Sequence, residues 1–259
     1  MEIAVLVKQV PDTYSERRLR ESDWVLDRDA SDAVIDEIDS KAVEVGLQLT
    51  EVHGGQVTVV TMGPARAAES LRKALAMGAH RAVHVLDDAL AGSDALQTSA
   101  ALAAALRSLQ VDLVITGNEA TDGRTASMPA MLAERLGMPA VTSVVKVAVE
   151  GSVLSAERVV EGGAAKVSAS LPLVLSVNEK IGEPRYPNFK GIMAAKSKPV
   201  SVLSAADLGL DPGTLGLANA STQVVSGAPR PLKSAGEKVT DDGEAGNGIA
   251  EFLVAQRLV

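Results

Sequence analysis

Residues 111–137 are the stretch of this sequence best spaced to bind an anionic ligand. A short apolar run at 111–115 is followed by a loop at 117–125 that contains glycine and aspartate, and then by apolar residues at helical spacing, Met128, Met131, Leu132 and Leu136. A strand that runs through such a loop into a helix presents backbone N–H groups to an anion at the carboxyl edge of a parallel sheet. The pattern predicts a nucleotide here, although most units of this kind bind nothing.

Other site chemistries find little support. The sequence has no cysteine, which excludes disulfides, thiolate catalysis, iron–sulfur clusters and Cys-based zinc sites. The histidines His53, His80 and His84 have no acidic neighbours at the spacing of a metal site. No G-x-S-x-G sequence occurs, so a hydrolase nucleophile is not indicated. We therefore predict no catalytic residue and no metal site.

Charge and hydropathy restrict the partners. A formal net charge of −8 disfavours nucleic acids and anionic membrane surfaces. No run approaches the roughly 18 apolar residues of a spanning helix, so no direct membrane insertion is expected. The first ten residues lack a basic region ahead of their apolar run and are typical of a first strand, not of a signal peptide. These features indicate a cytoplasmic protein.

Apolar periodicity predicts an α/β fold for the first part of the chain. Strands are predicted at 2–8, 56–62, 81–86, 111–116 and 141–145, and helices at 32–53, 65–77, 94–109 (with Ser93 as its cap) and from 128 onward. Strands that alternate with helices indicate a parallel, doubly wound sheet.

The pattern changes after residue 145. Runs at 153–160 and 164–170 predict an antiparallel hairpin, and 171–177 predicts another buried strand. Residues 183–198 predict a loop that enters a short helix, and 249–258 predicts a last short helix. Between these helices the composition shifts to Gly, Ser, Pro, Asp and Thr, so this tail either lies across a partner or is disordered.

Four stretches together carry a family resemblance: LVKQVPD at 6–12, GPARAAESLRKALAMGAHRAVHV at 63–85, TGNEATDGRTAS at 116–127 and NEKIGEPRYPNFKGIMAAKSKP at 178–199. In residues, order and separation they closely resemble the β subunit of electron-transfer flavoproteins, the FixA-like group, over nearly the full length. With the periodicity, the resemblance implies a Rossmann-like, doubly wound, mostly parallel sheet with an antiparallel hairpin and an extended C-terminal arm.

The resemblance also implies a role. In that family the β subunit pairs with an α subunit that holds most of the FAD contacts. The heterodimer carries electrons singly from flavin dehydrogenases, typically the acyl-CoA dehydrogenases of fatty acid oxidation, to a membrane quinone reductase. The chain is thus expected to be an electron-carrier subunit without substrate turnover of its own. Residues 1–204 would form the nucleotide-binding domain, and 205–259 an arm that packs on the α subunit.

A structural AMP is expected in the β subunit. The resemblance assigns its contacts to the loop and the neighbouring strand and helix ends: Val7, Asp36, Met62, Gly117, Asn118, Thr121, Asp122, Gly123, Arg124, Thr125, Ala126 and Ser127. Core packing would equally explain Val7 and Met62, and solvation would explain Asp36. The loop departs from the common family form, in which an acidic residue and a glutamine often stand at 124 and 127. Arg124 either contacts phosphate or points to solvent.

Two further sets of residues follow from the resemblance. Residues 183–198 match the loop that seizes the dehydrogenase, with partner contacts expected at Arg185, Tyr186, Phe189, Lys190, Ile192 and Met193. Phe189 stands where the family commonly has leucine, and an exposed aromatic beside basic residues can anchor a partner. Thr13, Tyr14 and Ile38 match positions near the FAD of the α subunit.

Two rival hypotheses remain from the sequence. In the first, a second FAD replaces AMP and the complex bifurcates electrons from NADH, as in one branch of the family. In the second, the chain is a stand-alone nucleotide-binding protein of the universal-stress type that shares only the Rossmann-like core. The stretch at 178–199 and the long tail argue against this second rival.

Overall fold

The computed structural model describes residues 1–231, 233, 236, 238–241 and 243–259. Its strands are β1 Glu2–Leu6, β2 Gln9–Pro11, β3 Ala33–Ile35, β4 Gln56–Met62, β5 Arg81–Val85, β6 Leu113–Gly117, β7 Ala140–Glu150, β8 Val153–Val160, β9 Gly163–Ser170, β10 Leu173–Val177 and β11 Val200–Leu203. Its helices are α1 Glu37–His53, α2 Ala68–Met77, α3 Ala95–Leu109, α4 Met128–Leu136, α5 Phe189–Ala195 and α6 Ala245–Ala255.

Nine of these strands form one sheet in the order β11-β5-β4-β1-β6-β10-β7-β8-β9. Pairing is parallel from β11 to β7 and antiparallel for β7–β8 and β8–β9. The predicted fold class is therefore confirmed, hairpin included. The chain builds outward from β1 to β4, β5 and β11 on one side and from β6 on the other, so the strand order reverses between β1 and β6.

The central strands are buried on both faces, which explains their unbroken apolar runs. Alternate residues of β1, Ile3 and Val5, belong to a core cluster that includes residues of α1 and α2. The intervening residues Ala4 and Leu6 belong to a second cluster, which includes residues of α3 and α4. This alternation is what a doubly wound sheet requires, with helices on each side.

Four predicted helix starts are wrong. Helix α2 begins at Ala68 instead of residue 65, after a 3-10 turn, and α6 begins at Ala245 instead of residue 249. The other two starts are set by identifiable contacts. The first helix begins at Glu37 instead of residue 32, because Ala33–Ile35 pairs antiparallel with Gln9–Pro11. The third helix is capped by Asp94 instead of Ser93, since the Asp94 carboxylate accepts a hydrogen bond from the N–H of Gln97 at 3.0 Å. In both cases a contact that periodicity does not register sets the boundary.

The described residues divide into two units, Met1–Val225 and Ser226–Val259. The first unit runs past residue 205, where the sequence placed the start of the arm, because Ala205 and Leu215 are buried in a cluster with residues of α3. The second unit contains α6, whose Ile249 and Phe252 are exposed. That 205–259 packs on an α subunit stays a prediction. None of the helices in the described part of the chain combines the length and apolar character of a membrane span.

We expect Leu71→Ala to lower the free energy of unfolding by about 2–5 kcal/mol, because the Leu71 side chain of α2 is fully buried and its loss leaves a cavity. Leu96→Ala is the matched control, since Leu96 of α3 is 47% exposed. Its effect should stay within about 0.5 kcal/mol. Urea denaturation followed by circular dichroism measures both variants, and equal losses would contradict this description of the core.

Candidate functional site

The carboxyl ends of β1 and β6 border the point where the strand order reverses, which is where open α/β sheets bind ligands. The first turn of α1 reaches this edge through Asp36, which is completely buried. One carboxylate oxygen of Asp36 caps α1 by accepting from the N–H of Ile38 at 3.0 Å. The other accepts from the N–H and the hydroxyl of Thr121, at 2.7 and 2.8 Å. Two residues predicted separately for the nucleotide site are thus in direct contact.

A second carboxylate of α1, Asp39, connects the two diverging strands. Its oxygens accept from the N–H of Lys8 at 2.8 Å and from the N–H of Gly117 at 3.1 Å. A Cβ at position 117 would lie 2.7 Å from the nearer carboxylate oxygen, so only glycine fits there. In this structure the N–H of Gly117 therefore donates to the carboxyl group of Asp39.

The third carboxylate, Asp122, belongs to the loop itself. Its side chain is fully buried and accepts from the Lys8 ammonium at 2.8 Å and from the Arg28 guanidinium at 2.7 Å. Arg17 also donates to the Thr121 carbonyl at 2.7 Å. Arg17 and Arg28 lie in the segment between β2 and β3. Their hydrogen bonds to Thr121 and Asp122 therefore hold this segment against the first half of the loop.

The protonation of these carboxyls differs. Burial, followed by the nearby charge of Asp36, raises the pKa of Asp39, and the N–H groups of Lys8 and Gly117 oppose the shift; the result is a pKa of about 8. Burial also acts to raise the pKa of Asp122, but the charges and hydrogen bonds of Lys8 and Arg28 outweigh it, so that pKa lies below its ordinary value. At neutral pH Asp122 is therefore ionised, whereas Asp39 mostly holds its proton.

The second half of the loop offers donors. Arg124 and Ala126 adopt positive φ angles of 49° and 51°, an arrangement that turns successive N–H groups toward one side. Within the described residues, the N–H groups of Thr125, Ala126 and Ser127 donate to no protein acceptor. Ser127 precedes α4 without capping it through its side chain. These free N–H groups therefore lie next to the N-terminus of α4, where the helix dipole favours an anion.

Three other loop residues, Asn118, Gly123 and Arg124, differ in their hydrogen-bond partners. The buried side-chain oxygen of Asn118 has no hydrogen-bond partner, which marks it as an acceptor available to a ligand donor. Arg124 is 70% exposed at its side chain and stands 3.9 Å from the Glu119 carboxylate. The N–H of Gly123 is taken by the Asp122 carboxylate.

The remaining predicted contacts fall into two environments. Val7 and Ile38 are buried in the core cluster that contains residues of α1 and α2, and Met62 is half-buried against the other face. Thr13 and Tyr14 stand on the segment between β2 and β3, where Tyr14 is 98% exposed. Their predicted proximity to a flavin remains a prediction.

Residues 183–198, called the docking segment after the role predicted for them, expose several apolar side chains. Tyr186 is 95% and Phe189 79% exposed, and Ile192 and Met193 of α5 are about half exposed. Lys190 is exposed beside them. Exposed aromatic and aliphatic side chains in one short stretch are consistent with partner contacts, which stay a prediction.

Arg185 of the same segment behaves differently from its neighbours. Its guanidinium binds the carboxylates of Glu44 and Glu51 on α1, and only 34% of its side chain is exposed. It was predicted to contact a partner protein, but here its donors are occupied within the chain.

Residues 23–208 match the family model described as electron transfer flavoprotein domain. Across 99% of both chains, the sequence is 53% identical to the electron transfer flavoprotein subunit beta of Mycobacterium bovis. The chain belongs to the electron transfer flavoprotein β-subunit family. Identity is 39% to the subunit beta of Thermoanaerobacterium thermosaccharolyticum over the whole of both chains. It is 36% to the caffeyl-CoA reductase-Etf complex subunit CarD of Acetobacterium woodii, over 99% of this chain and 97% of that one.

Four residues that complete the site of this β-subunit family member were missed by the sequence reasoning: Lys8, Arg17, Arg28 and Asp39. Lys8 ends the strand predicted at 2–8, and Asp39 follows Asp36 by about one helical turn, so both carried a weak positional signal. Arg17 and Arg28 lie in a segment without periodicity, where no signal identified them.

Asp39 should make stability depend on pH. Its folded pKa of about 8 exceeds the unfolded value of about 3.9, so between these values only the folded state keeps the proton and stability falls as pH rises. The slope approaches about −1.4 kcal/mol per pH unit. In Asp39→Asn this slope disappears, although the lost acceptor costs a constant amount. Urea denaturation at pH 5.5, 6.5 and 7.5 would measure it. The exposed Asp88→Asn is the control, and equal slopes in Asp39→Asn and the wild type would contradict the assignment.

Proposed function

We propose that this chain is the β subunit of a heterodimeric electron transfer flavoprotein. In this proposal it binds AMP structurally and helps pass electrons from flavin dehydrogenases, such as acyl-CoA dehydrogenases, to a membrane quinone reductase. FAD, held mainly by the α subunit, supplies the redox chemistry. The chain itself turns over no substrate and works in the cytoplasm. Beyond family membership, the observation that carries the proposal is the docking segment, with Phe189 and Tyr186 exposed on a folded chain.

The loop fits a nucleotide in its second half. The free N–H groups of Thr125, Ala126 and Ser127 suit a phosphate, and Arg124 is close enough in sequence to add charge. The unpartnered oxygen of Asn118 suits an amino or hydroxyl donor of a nucleoside. The first half of the loop is instead held in place by the protein itself. Asp36 at the start of α1 binds Thr121, and Asp122 of the loop binds Lys8.

The docking segment supports the role of partner recognition. Aromatic anchors surrounded by weaker contacts supply most of the affinity at protein interfaces. Phe189 lies at the start of α5, and Asn188 caps that helix by accepting from the N–H of Gly191 at 2.8 Å. The anchor therefore projects from a short ordered helix, with Lys190 available to steer an acidic surface.

An electron-bifurcating complex with a second FAD in place of AMP is the alternative. A relative whose name places it in a caffeyl-CoA reductase-Etf complex is 36% identical to this chain, so complexes with other partners exist among its relatives. The stand-alone stress-protein hypothesis has lost its basis, since the family match extends over nearly the whole chain.

Nucleotide content separates the two cofactor hypotheses. The chain is co-expressed with its α subunit, the purified complex is denatured, and the released nucleotides are separated and quantified. We expect one FAD and one AMP per heterodimer. Two FAD and no AMP would overturn the AMP assignment and establish the alternative. The α subunit purified alone is the control for FAD that this chain does not bind.

Phe189→Ala should raise the KM of an acyl-CoA dehydrogenase for the heterodimer about tenfold, because about 1.4 kcal/mol of anchor contact is lost. FAD and AMP content should stay unchanged. Val52→Ala is the matched control, as Val52 is an exposed apolar residue of α1 outside the docking segment. Loss of either nucleotide in Phe189→Ala would show that the segment is structural and that the docking assignment is wrong.

A further inference from the structure

The docking segment is attached to α1 by a cluster of charged side chains. The Nε and one Nη of Arg185 donate to the two carboxylate oxygens of Glu44 at 2.7 and 2.9 Å, and the Arg185 backbone N–H donates to Glu44 at 3.1 Å. The same guanidinium also donates to Glu51, which lies two turns further along α1. One arginine therefore holds two carboxylates of the helix through a forked, bidentate geometry.

A second ion pair also links α1 to this part of the chain, and here the helix supplies the positive charge. Lys41 of α1 is nearly buried, and its ammonium donates to the Glu179 carbonyl at 2.7 Å and to the Glu183 carboxylate at 3.0 Å. Lys41, Glu44 and Glu51 recur at spacings of three and seven and so share one face of the helix. The loop that leads into the docking segment is thus fixed along this face.

The far end of the docking segment is fixed to α2. A Cβ on Gly191 would lie 2.4 Å from the carbonyl oxygen of Ala76, so α5 and α2 approach at backbone distance. Arg72 of α2 donates to the Ala195 carbonyl at 2.7 Å. Lys198 donates to the carbonyl oxygens of Leu75 in the last turn of α2 and of Ala79, which follows the helix.

These attachments leave the apolar side chains free while they hold the backbone. Tyr186 directly follows Arg185, and both Tyr186 and Phe189 are largely exposed between the two attached ends. A segment held in its bound conformation loses less conformational entropy when a partner binds, and this raises affinity without any new contact. The fixed backbone is therefore itself a determinant of docking affinity.

A role for Arg185 as a steering charge is disfavoured by its surroundings. One guanidinium faces the two carboxylates of Glu44 and Glu51, so the cluster as a whole is not positive. Burial acts to raise the pKa of Glu44, but the hydrogen bonds from Arg185 outweigh it and hold that pKa below its ordinary value. The carboxylate thus stays ionised and paired with Arg185 at neutral pH.

We propose that Arg185 is a positioning residue, which orders the docking segment through Glu44 and Glu51 before the partner arrives and sets affinity through Tyr186 and Phe189. This inference rests on the proposed function, because it presumes that the segment docks a dehydrogenase. It replaces the role expected from the sequence, a direct contact of Arg185 with the partner protein.

The test uses the heterodimer with its α subunit, and an acyl-CoA dehydrogenase reduced by its acyl-CoA as the probe. Arg185→Gln should raise the KM for the heterodimer about fivefold and leave kcat and nucleotide content unchanged. Arg185→Lys should not restore the KM, because an ammonium cannot pair with both carboxylates in the forked geometry. In Arg185→Lys, which keeps the charge, the dependence of kcat/KM on salt concentration should match the wild type.

Three further variants keep the outcome interpretable. Glu51→Gln should reproduce part of the KM increase, and it serves if Arg185→Gln fails to fold, because Glu51 is more exposed. Lys180→Gln removes the same charge from an exposed site nearby and should change nothing. Adding Phe189→Ala to Arg185→Gln should raise the KM by less than the product of the two single effects, since both act on one contact.

The failures of the two proposals differ. If Arg185→Lys keeps the wild-type KM while Arg185→Gln raises it, Arg185 acts through its charge alone and the inference is wrong. If Phe189→Ala raises the KM while neither Arg185→Gln nor Glu51→Gln does, the inference fails but docking by the segment stands. If Phe189→Ala leaves the KM unchanged, the proposed docking function itself fails.

Discussion

The divergence of β1 and β6 is the constraint on which the rest of the structure depends. Where the strand order reverses, the connections leave toward opposite faces, and the backbone N–H groups of Lys8 and Gly117 at the strand ends need acceptors. Asp39 supplies both acceptors from the first turn of α1. The candidate site is therefore shaped by the start of α1, which packs against the ends of β1 and β6. Position 117 requires glycine because the Asp39 side chain occupies the space that a Cβ would need.

Helix α1 serves the candidate site and the docking segment together. Its capping residue Asp36 and its first-turn residue Asp39 hold the loop after β6, and its later turns carry Glu44 and Glu51, which hold Arg185. With 17 residues it is about 25 Å long. One rigid element thus fixes both the proposed nucleotide loop and the proposed partner surface to the same sheet.

The sequence predicted the architecture well because apolar periodicity reports burial directly. The apolar runs of β1, β6 and β10 contain fully buried residues such as Val5, Ile115 and Leu175. Their burial agrees with the prediction of buried strands. Periodicity does not report side-chain partners that are distant in the chain. Asp122 pairs with Lys8 and Arg28, 114 and 94 residues away, and these pairs follow only from the folded topology.

The same limit explains why the ion pairs of Arg185 could not be predicted from the sequence. A basic residue beside exposed aromatics looks like a steering charge until its partners are known, and Glu44 and Glu51 lie 141 and 134 residues earlier. Pairing buried or half-buried charges contributes little net stability, since desolvation offsets the attraction, but it does select one arrangement over others. The loop after β6 and the docking segment are both held in one conformation by such side-chain pairs. In both, acidic side chains at α1 fix the backbone. The loop after β6 keeps its N–H donors free for a ligand, and the docking segment keeps its aromatic rings exposed for a partner.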